Sequence, residues 1–276
     1  MGIAAQRRIA VGFFDGVHIG HRAILEGADA ALTFNPHPLA VVSPGRAPRL
    51  LMTLEERIGA IRAAGVDNVS VIDFTPEFSR LTAEEFVDLM LKREFARYGI
   101  VRCGGNWRFG CGGSGDWRLL RSRGIGVEKV EYARYGGEIV SSSRIRACLA
   151  AGDIPSANAM LARRYSRRLA PSPGKGVGSA LGFATVNFRA SLPVRPGVYA
   201  VTLDGRRAVA NYGRAPTAGE NAWREDVLEV HQLDGEPVIT ESMEVAFDFF
   251  IRPERKFASF EELRCQIELD CGRIKP

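Results

Sequence analysis

Histidine is scarce in this chain, with four in 276 residues, and neither an HExxH nor a CxxC spacing occurs, so the commonest zinc-binding patterns are missing. Five cysteines, Cys103, Cys111, Cys148, Cys265 and Cys271, are odd in number and scattered. That argues against a disulfide framework and for a reducing compartment, so a cytoplasmic protein is expected. Long apolar runs are also lacking: none approaches the roughly 20 residues that span a bilayer. Met1 to Gly16 holds no apolar stretch followed by a small-residue cleavage site. Neither a membrane partner nor a secretory leader is expected. No basic helix interleaved with aromatics stands out either. Lys and Arg number 37 against 32 Asp and Glu, a net charge of +5, but the arginines are spread along the chain. The densest group, Arg163, Arg164, Arg167 and Arg168, suits a solvated linker at least as well as a polyanion site. Anionic nucleotides are therefore better candidate partners than nucleic acid. Composition leaves a homo-oligomer open.

What is present suffices for a sizeable core, at 46% hydrophobic and 25% charged, and the length suits two domains, divided here at 162/163. Apolar strands alternate with capped helices up to about residue 160, as in a parallel α/β sheet. Thr53 to Glu56 and Thr82 to Glu85 read as capping boxes. The first opens a helix with Leu54, Ile58 and Ile61 on one face and Gly65 at its end; the second leads toward Tyr98-Gly99. From about residue 165 the pattern becomes short runs, Val198 to Leu203, Arg207 to Tyr212, Val227 to Leu233 and Met243 to Phe250, separated by Gly, Pro and Asp. These read as antiparallel strands, followed by one helix capped at Ser259 to Glu262.

Three of the four histidines fall within the first 37 residues, in GFFDGVHIGH (Gly12 to His21) and TFNPHP (Thr33 to Pro38). An apolar run from Ile9 to Phe14 gives way to a turn on Asp15-Gly16 and then to His18 and His21. Strand, glycine turn and helix start can aim backbone N–H groups at a phosphate, and imidazoles three apart share a helix face. The same spacing also suits a metal pair or a solvent-facing turn, Asp15 suits a plain turn former, and His37 between two prolines suits a stiff loop.

Seven segments taken in order resemble the prokaryotic bifunctional riboflavin kinase/FAD synthetase family: GFFDGVHIGH, TFNPHP, GNWRFG (Gly105 to Gly110), SSSRIR (Ser141 to Arg146), LGFATVN (Leu181 to Asn187), VANYG (Val209 to Gly213) and LEVHQLD (Leu228 to Asp234). The resemblance implies an α/β, Rossmann-like nucleotidyltransferase domain over 1–162, followed over 163–276 by a small antiparallel β-barrel domain of six or so strands with a C-terminal helix. It implies two activities, transfer of AMP from ATP to FMN giving FAD, and phosphorylation of riboflavin to FMN. The partners are then ATP, FMN, riboflavin and FAD, and the cofactor is Mg²⁺ with ATP.

By the same resemblance, Gly12, Phe14, Asp15 and Gly16 line the nucleotide, His18 and His21 donate to its phosphates, and Asn35 and Asn106 contact nucleotide or FMN phosphate. Ser142, Ser143 and Arg146 hold the β- and γ-phosphates at a helix starting near Ser143. In the second domain Glu229 is the base for the ribityl hydroxyl, and Thr185 and Asn187 place phosphates and metal, Thr185 as the metal ligand. Two alternatives stay open, an FAD synthetase with a degenerate kinase domain and a non-catalytic nucleotide- or RNA-binding protein.

The chain departs from the family at three places. Arg22 to Leu32 is short for a helix and strand, so a truncated or rearranged crossover is expected. Pro-Thr-Ala-Asn is replaced by Ala184-Thr185-Val186-Asn187, preceded by Gly178-Ser179-Ala180, and VANYG is followed by Arg214-Ala215-Pro216-Thr217-Ala218.

Overall fold

The computed structural model describes residues 7–173, 183–215 and 225–274. Gly178-Ser179-Ala180, Leu181-Gly182 and Pro216-Thr217-Ala218, singled out above, lie outside the described residues. The chain forms two compact units, Met1–Ser142 and Ser143–Pro276.

In the first unit five parallel strands, β1 (Arg8–Val11), β2 (Ala30–Asn35), β3 (Asn68–Asp73), β4 (Ile100–Gly104) and β5 (Gly126–Val130), stand in the order β3-β2-β1-β4-β5. The order reverses between β1 and β4, and ligands of such sheets bind beyond the carboxyl ends of the strands at that switch point. Strands buried on both faces explain the near-continuous apolar runs. Ile9 and Val11 pack into one core with Phe86, Val87 and Met90, while Ala10 points into the other with Leu25 and Ile61.

The helices are α1 (Ile19–Leu25), α2 (Pro38–Val42), α3 (Leu54–Ala63), α4 (Ala83–Met90), α5 (Ala96–Tyr98) and α6 (Trp117–Ser122), and a small hairpin joins β6 (Arg134–Tyr135) to β7 (Glu138–Ile139). Both capping boxes form, with reciprocal bonds at Thr53/Glu56 and Thr82/Glu85. The residues buried on α3, however, are Arg57 and Ile61, and Leu54 and Ile58 are only partly covered. The short crossover keeps its topology. α1 has seven residues, too few to be stable alone. Its last carbonyls are capped from β4: Arg102 donates from Nε to Ile24 O (3.1 Å) and from Nη2 to Ala23 O (3.0 Å), and Nη1 pairs with Glu128 at 2.5 Å. A cation at a helix C-terminus also complements the helix dipole.

The second unit carries α7 (Ser142–Ala151, whose first residue belongs to the first unit), α8 (Ile154–Leu161) and seven antiparallel strands: β8 (Tyr165–Leu169), β9 (Pro171–Ser172), β10 (Thr185–Arg189), β11 (Gly197–Leu203), β12 (Arg206–Ala215), β13 (Glu225–Gln232) and β14 (Met243–Arg252). Their order is β8-β14-β11-β12-β13-β10-β9. The two outermost strands are neighbours in sequence, separated only by Ala170. Leu169 pairs with Met243 while Pro171 pairs with Phe188, so the sheet curls until its edges meet. The expected barrel is thus a half-barrel whose outermost strands are joined through the chain, with no ladder between β8 and β9 among the described residues. Asn158 of α8 donates to Phe247 O (2.9 Å) and accepts from Tyr165 N (2.6 Å), which fastens this helix to β14 and β8.

The last helix, α9 (Phe260–Gly272), packs Ile267 and Cys271 against Val198 and Val209. Only half of its capping box forms. Ser259 accepts from Glu262 N, but the Glu262 carboxylate takes the N–H of Ala258 (3.0 Å) instead of that of Ser259.

Candidate active sites

β1 stops at Val11 because the next residues leave the extended region: Phe14 has φ +60°, Gly16 +86° and Val17 +39°. Positive φ at a non-glycine residue costs on the order of 1–3 kcal/mol. Burial of Phe14 and Val17 and a bond from Val17 N to Phe14 O (3.1 Å) hold the loop in this shape. Gly12 was expected to let the nucleotide approach, yet a Cβ there would sit 3.0 Å from the Phe14 ring, so the missing side chain makes room for that ring. Phe14, expected against the ligand, is fully buried and meets His21 edge-on at 5.4 Å.

His18 is the N-cap of α1. Its Nδ1 accepts the His21 N–H at 3.3 Å. The ring lies over Gly20, where a Cβ would be 3.2 Å from His18 Cε1. The His-x-Gly-His spacing therefore has a local cause: the capping ring reaches back across a position only glycine leaves open. The two imidazoles stack, with centroids 3.6 Å apart and planes at 17°. Burial, and then the adjacent His18, push the His21 pKa well below its ordinary value, and Nδ1 of His21 is buried with no hydrogen-bond partner among the described residues.

This arrangement fixes a pH dependence. The unfolded chain protonates His21 near pH 6.5 and the folded chain only at lower pH. Between those values the unfolded state binds more protons, so stability rises with pH, is complete above about pH 6.5 and is lost as pH falls below it. Urea unfolding of His21→Gln is expected to show a flatter loss of stability below that pH than the parent; parallel curves would reject a neutral, buried His21.

Asp15 is 3% exposed, and both its carboxylate oxygens face the Leu51 N–H (3.0 and 3.2 Å). It braces the loop from beneath. Its carbonyl oxygen accepts from Ser142 Oγ (2.8 Å), which ties the start of SSSRIR to GFFDGVHIGH within the first unit. Ser142 is the first residue of α7, one position earlier than expected; Ser143 and Arg146, joined by a bond from Arg146 Nη2 to Ser143 Oγ (3.3 Å), fall in the second unit.

The loop after β1 is laced to strand β2 by Gly12 N to Leu32 O (3.1 Å) and Thr33 Oγ1 to Phe13 O (2.9 Å). Asn35 ends β2, and His37 caps α2 through Nδ1 (Leu39 N, 3.1 Å) while meeting the Phe13 ring at 4.5 Å. Asn106 is exposed in the turn after β4, closed by Trp107 N to Gly104 O (3.0 Å). Cys103, beside it, is buried with its pKa pushed up to about 11 by burial, an unreactive thiol.

In the second unit, β10 and β13 pair with Thr185 opposite His231 and Asn187 opposite Glu229. Val186, Phe188, Leu228 and Val230 alternate with them into the core, so the four polar side chains share the other face. Thr185 Oγ1 donates to Glu229 Oε1 at 3.0 Å. His231 Nδ1 lies 2.8 Å from Ala184 O and must carry the proton there, which pins the ATVN segment beside Glu229. A cavity of about 170 Å³ opens on this face, lined by Thr185, Glu229, His231, Phe183, Asn211 and Glu254, among others; Asn187 is not in its lining. Arg252 meets Asp270 through two nitrogens (2.8 and 2.9 Å), with Gln266 Nε2 on the other carboxylate oxygen at 2.7 Å, which holds α9 to the end of β14 beside the cavity.

Two family models divide the chain, FAD synthetase over residues 3–144 and riboflavin kinase over 161–276. The chain belongs to the bifunctional riboflavin kinase/FMN adenylyltransferase family. The relative of that name from Escherichia coli (strain K12) is 33% identical over 95% of this chain and 90% of its own length, and that from Bacillus subtilis (strain 168) is 30% identical over 96% and 90%. A crystal structure described as a macrolide-efflux protein from Streptococcus pneumoniae matches with a TM-score of 0.78 at 25% identity, over 98% of this chain and 93% of that one. No described helix of this chain is long and apolar enough to cross a membrane. Sequence reasoning missed Arg57, 2% exposed beneath the first loop; its one signal was a charge four residues from Ile61 on a helix otherwise read by its apolar positions.

Proposed function

We propose that this bifunctional enzyme of FAD synthesis makes FAD with residues 1–162 and phosphorylates riboflavin with residues 163–276. The observation that carries the first assignment is His21, held between Phe14 and His18 at the switch point of the sheet with a buried nitrogen that has no hydrogen-bond partner among the described residues. Attack of an FMN phosphate oxygen on the α-phosphorus of ATP breaks the bond to pyrophosphate and needs no covalent enzyme intermediate. It needs two anions aligned and the charge growing on the leaving group offset. His18 and His21 are the proposed donors to the phosphates, and a bound polyanion would raise the depressed pKa of His21. Ser142, Ser143 and Arg146 are the proposed holders of the β- and γ-phosphates, and Asn35 and Asn106 contact nucleotide or FMN. Gly12, Phe14, Asp15 and Gly16 act by shaping the loop.

In the kinase half Glu229 takes the proton of the ribityl hydroxyl as its oxygen attacks the γ-phosphorus of ATP, leaving ADP. Thr185, with Asn187, would hold Mg²⁺ and phosphate; a hydroxyl beside a carboxylate is the hard oxygen set that suits Mg²⁺, an ion bound through few protein ligands and the nucleotide's own phosphates. Bound, the ion would offset phosphate charge. The free cysteines suit a cytoplasmic setting.

The test supplies MgATP with FMN or with riboflavin and separates the flavins by chromatography. FAD is expected from FMN, and FMN then FAD from riboflavin. His21→Ala should slow FAD formation by about 10²-fold, the loss typical of one preorganised donor, with riboflavin phosphorylation unchanged. Both reactions falling together, or neither, would reject two separate sites.

A further inference from the structure

We propose that Arg57 is a positioning residue for adenylyl transfer, its guanidinium clamping the loop after β1 to the end of β2 from below. Nη2 donates to Phe34 O at 2.8 Å, one residue before Asn35, and the guanidinium carbon lies 3.9 Å from the Phe13 ring centroid. The opposite edge of that contact continues to His37, which meets Phe13 at 4.5 Å. Asp15 supplies the countercharge, while its own oxygens face the Leu51 N–H. One side chain on α3 therefore addresses Phe13 and Asp15 of the first loop and Phe34 near the end of β2.

Stability alone does not account for an arginine here. The side chain is 2% exposed, its Nε is buried without a hydrogen-bond partner among the described residues, and burial brings its pKa down to about 10 despite Asp15. A buried ion pair replaced as a whole by apolar residues of similar volume commonly loses no stability, and Ile61 on the same face shows that this position borders apolar core. The two other ties between the first loop and β2, Gly12 N to Leu32 O and Thr33 Oγ1 to Phe13 O, end on backbone. Among the described residues only Arg57 bears on the Phe13 ring and the Phe34 carbonyl together, and lysine, a point donor without a planar face, cannot do both.

The inference rests on the reading that the first unit transfers AMP to FMN, and its test keeps the two apart. In the full-length protein, Arg57→Lys and Arg57→Met are assayed for FAD formation and riboflavin phosphorylation in parallel. Misplaced reacting groups lower kcat by about 10²-fold when the error approaches 1 Å. Arg57→Met is expected to show about that loss and Arg57→Lys about tenfold, with KM changing by less than about threefold in both and phosphorylation unchanged. Hydrogen exchange gives a second readout: protection should fall at Phe13 to Gly16 and Phe34 to His37 in Arg57→Lys and stay elsewhere. Wild-type kcat or unchanged loop protection in Arg57→Lys would overturn the clamp, as would parallel loss of both activities with a lowered melting temperature. A wild type that makes no FAD would reject the underlying activity, and the exchange data would still decide the clamp.

Discussion

Glu229→Gln is expected to slow riboflavin phosphorylation by about 10²- to 10⁴-fold, the usual range for general-base catalysis, and to leave the conversion of FMN to FAD at its parental rate. The substitution keeps the shape of the side chain, and its amide oxygen still accepts the Thr185 hydroxyl, which Glu229 Oε1 receives at 3.0 Å. The proton acceptor is what disappears. A neutral alcohol is a weak nucleophile, so the rate should fall in kcat while KM for riboflavin stays near the parental value. Brisk phosphorylation by both parent and variant would reject Glu229 as the base while leaving the kinase standing.

Asp270→Ala is expected to lower the unfolding free energy by about 3 kcal/mol, the lower end of the cost of breaking a buried ion pair by removing one partner. Asp270 is 2% exposed and bonded by Arg252 and Gln266, so the change strands a guanidinium and an amide at once. The Arg252 side chain retains 16% exposure, and water reaching it limits the penalty. Urea unfolding of the full chain gives the number, and Arg252→Met/Asp270→Leu, which removes both charges, should recover most of it. A single variant as stable as the parent would mean that α9 is held by its apolar face alone.

Helices α3 and α4 were legible because Thr53/Glu56 and Thr82/Glu85 announce their first turns by local chemistry that tertiary context does not alter. The strands of the second unit were legible as runs, and alternation alone put Thr185 with Asn187 and Glu229 with His231. That these two pairs face each other depends on the register of β10 with β13, a non-local quantity. The capping role of His18 and the fit of its ring over Gly20 were hidden, since the same spacing serves metal sites and phosphate sites equally well. Gly12 vacates space without saying what fills it, and the Phe14 ring takes that space. The shortened crossover could be read as truncated, but not that Arg102, far along the chain on β4, would cap what remained of the helix. Arg57 was invisible to a reading by apolar period, which counts a charge only as an interruption.

The seam at Ala170 has a topological consequence. The outermost strands of an open sheet offer unpaired N–H and C=O groups to any neighbouring chain, and here those strands are one unbroken segment of backbone. A cut at Ala170 would unroll the sheet and release both borders together. A cut between β11 and β12 falls instead at Asp204-Gly205, a two-residue turn with φ of +44° and +80° that joins strands whose ladder continues on either side. A circular permutant opened there keeps the seam intact, whereas one opened at Ala170 loses the covalent link that holds the two outermost strands together.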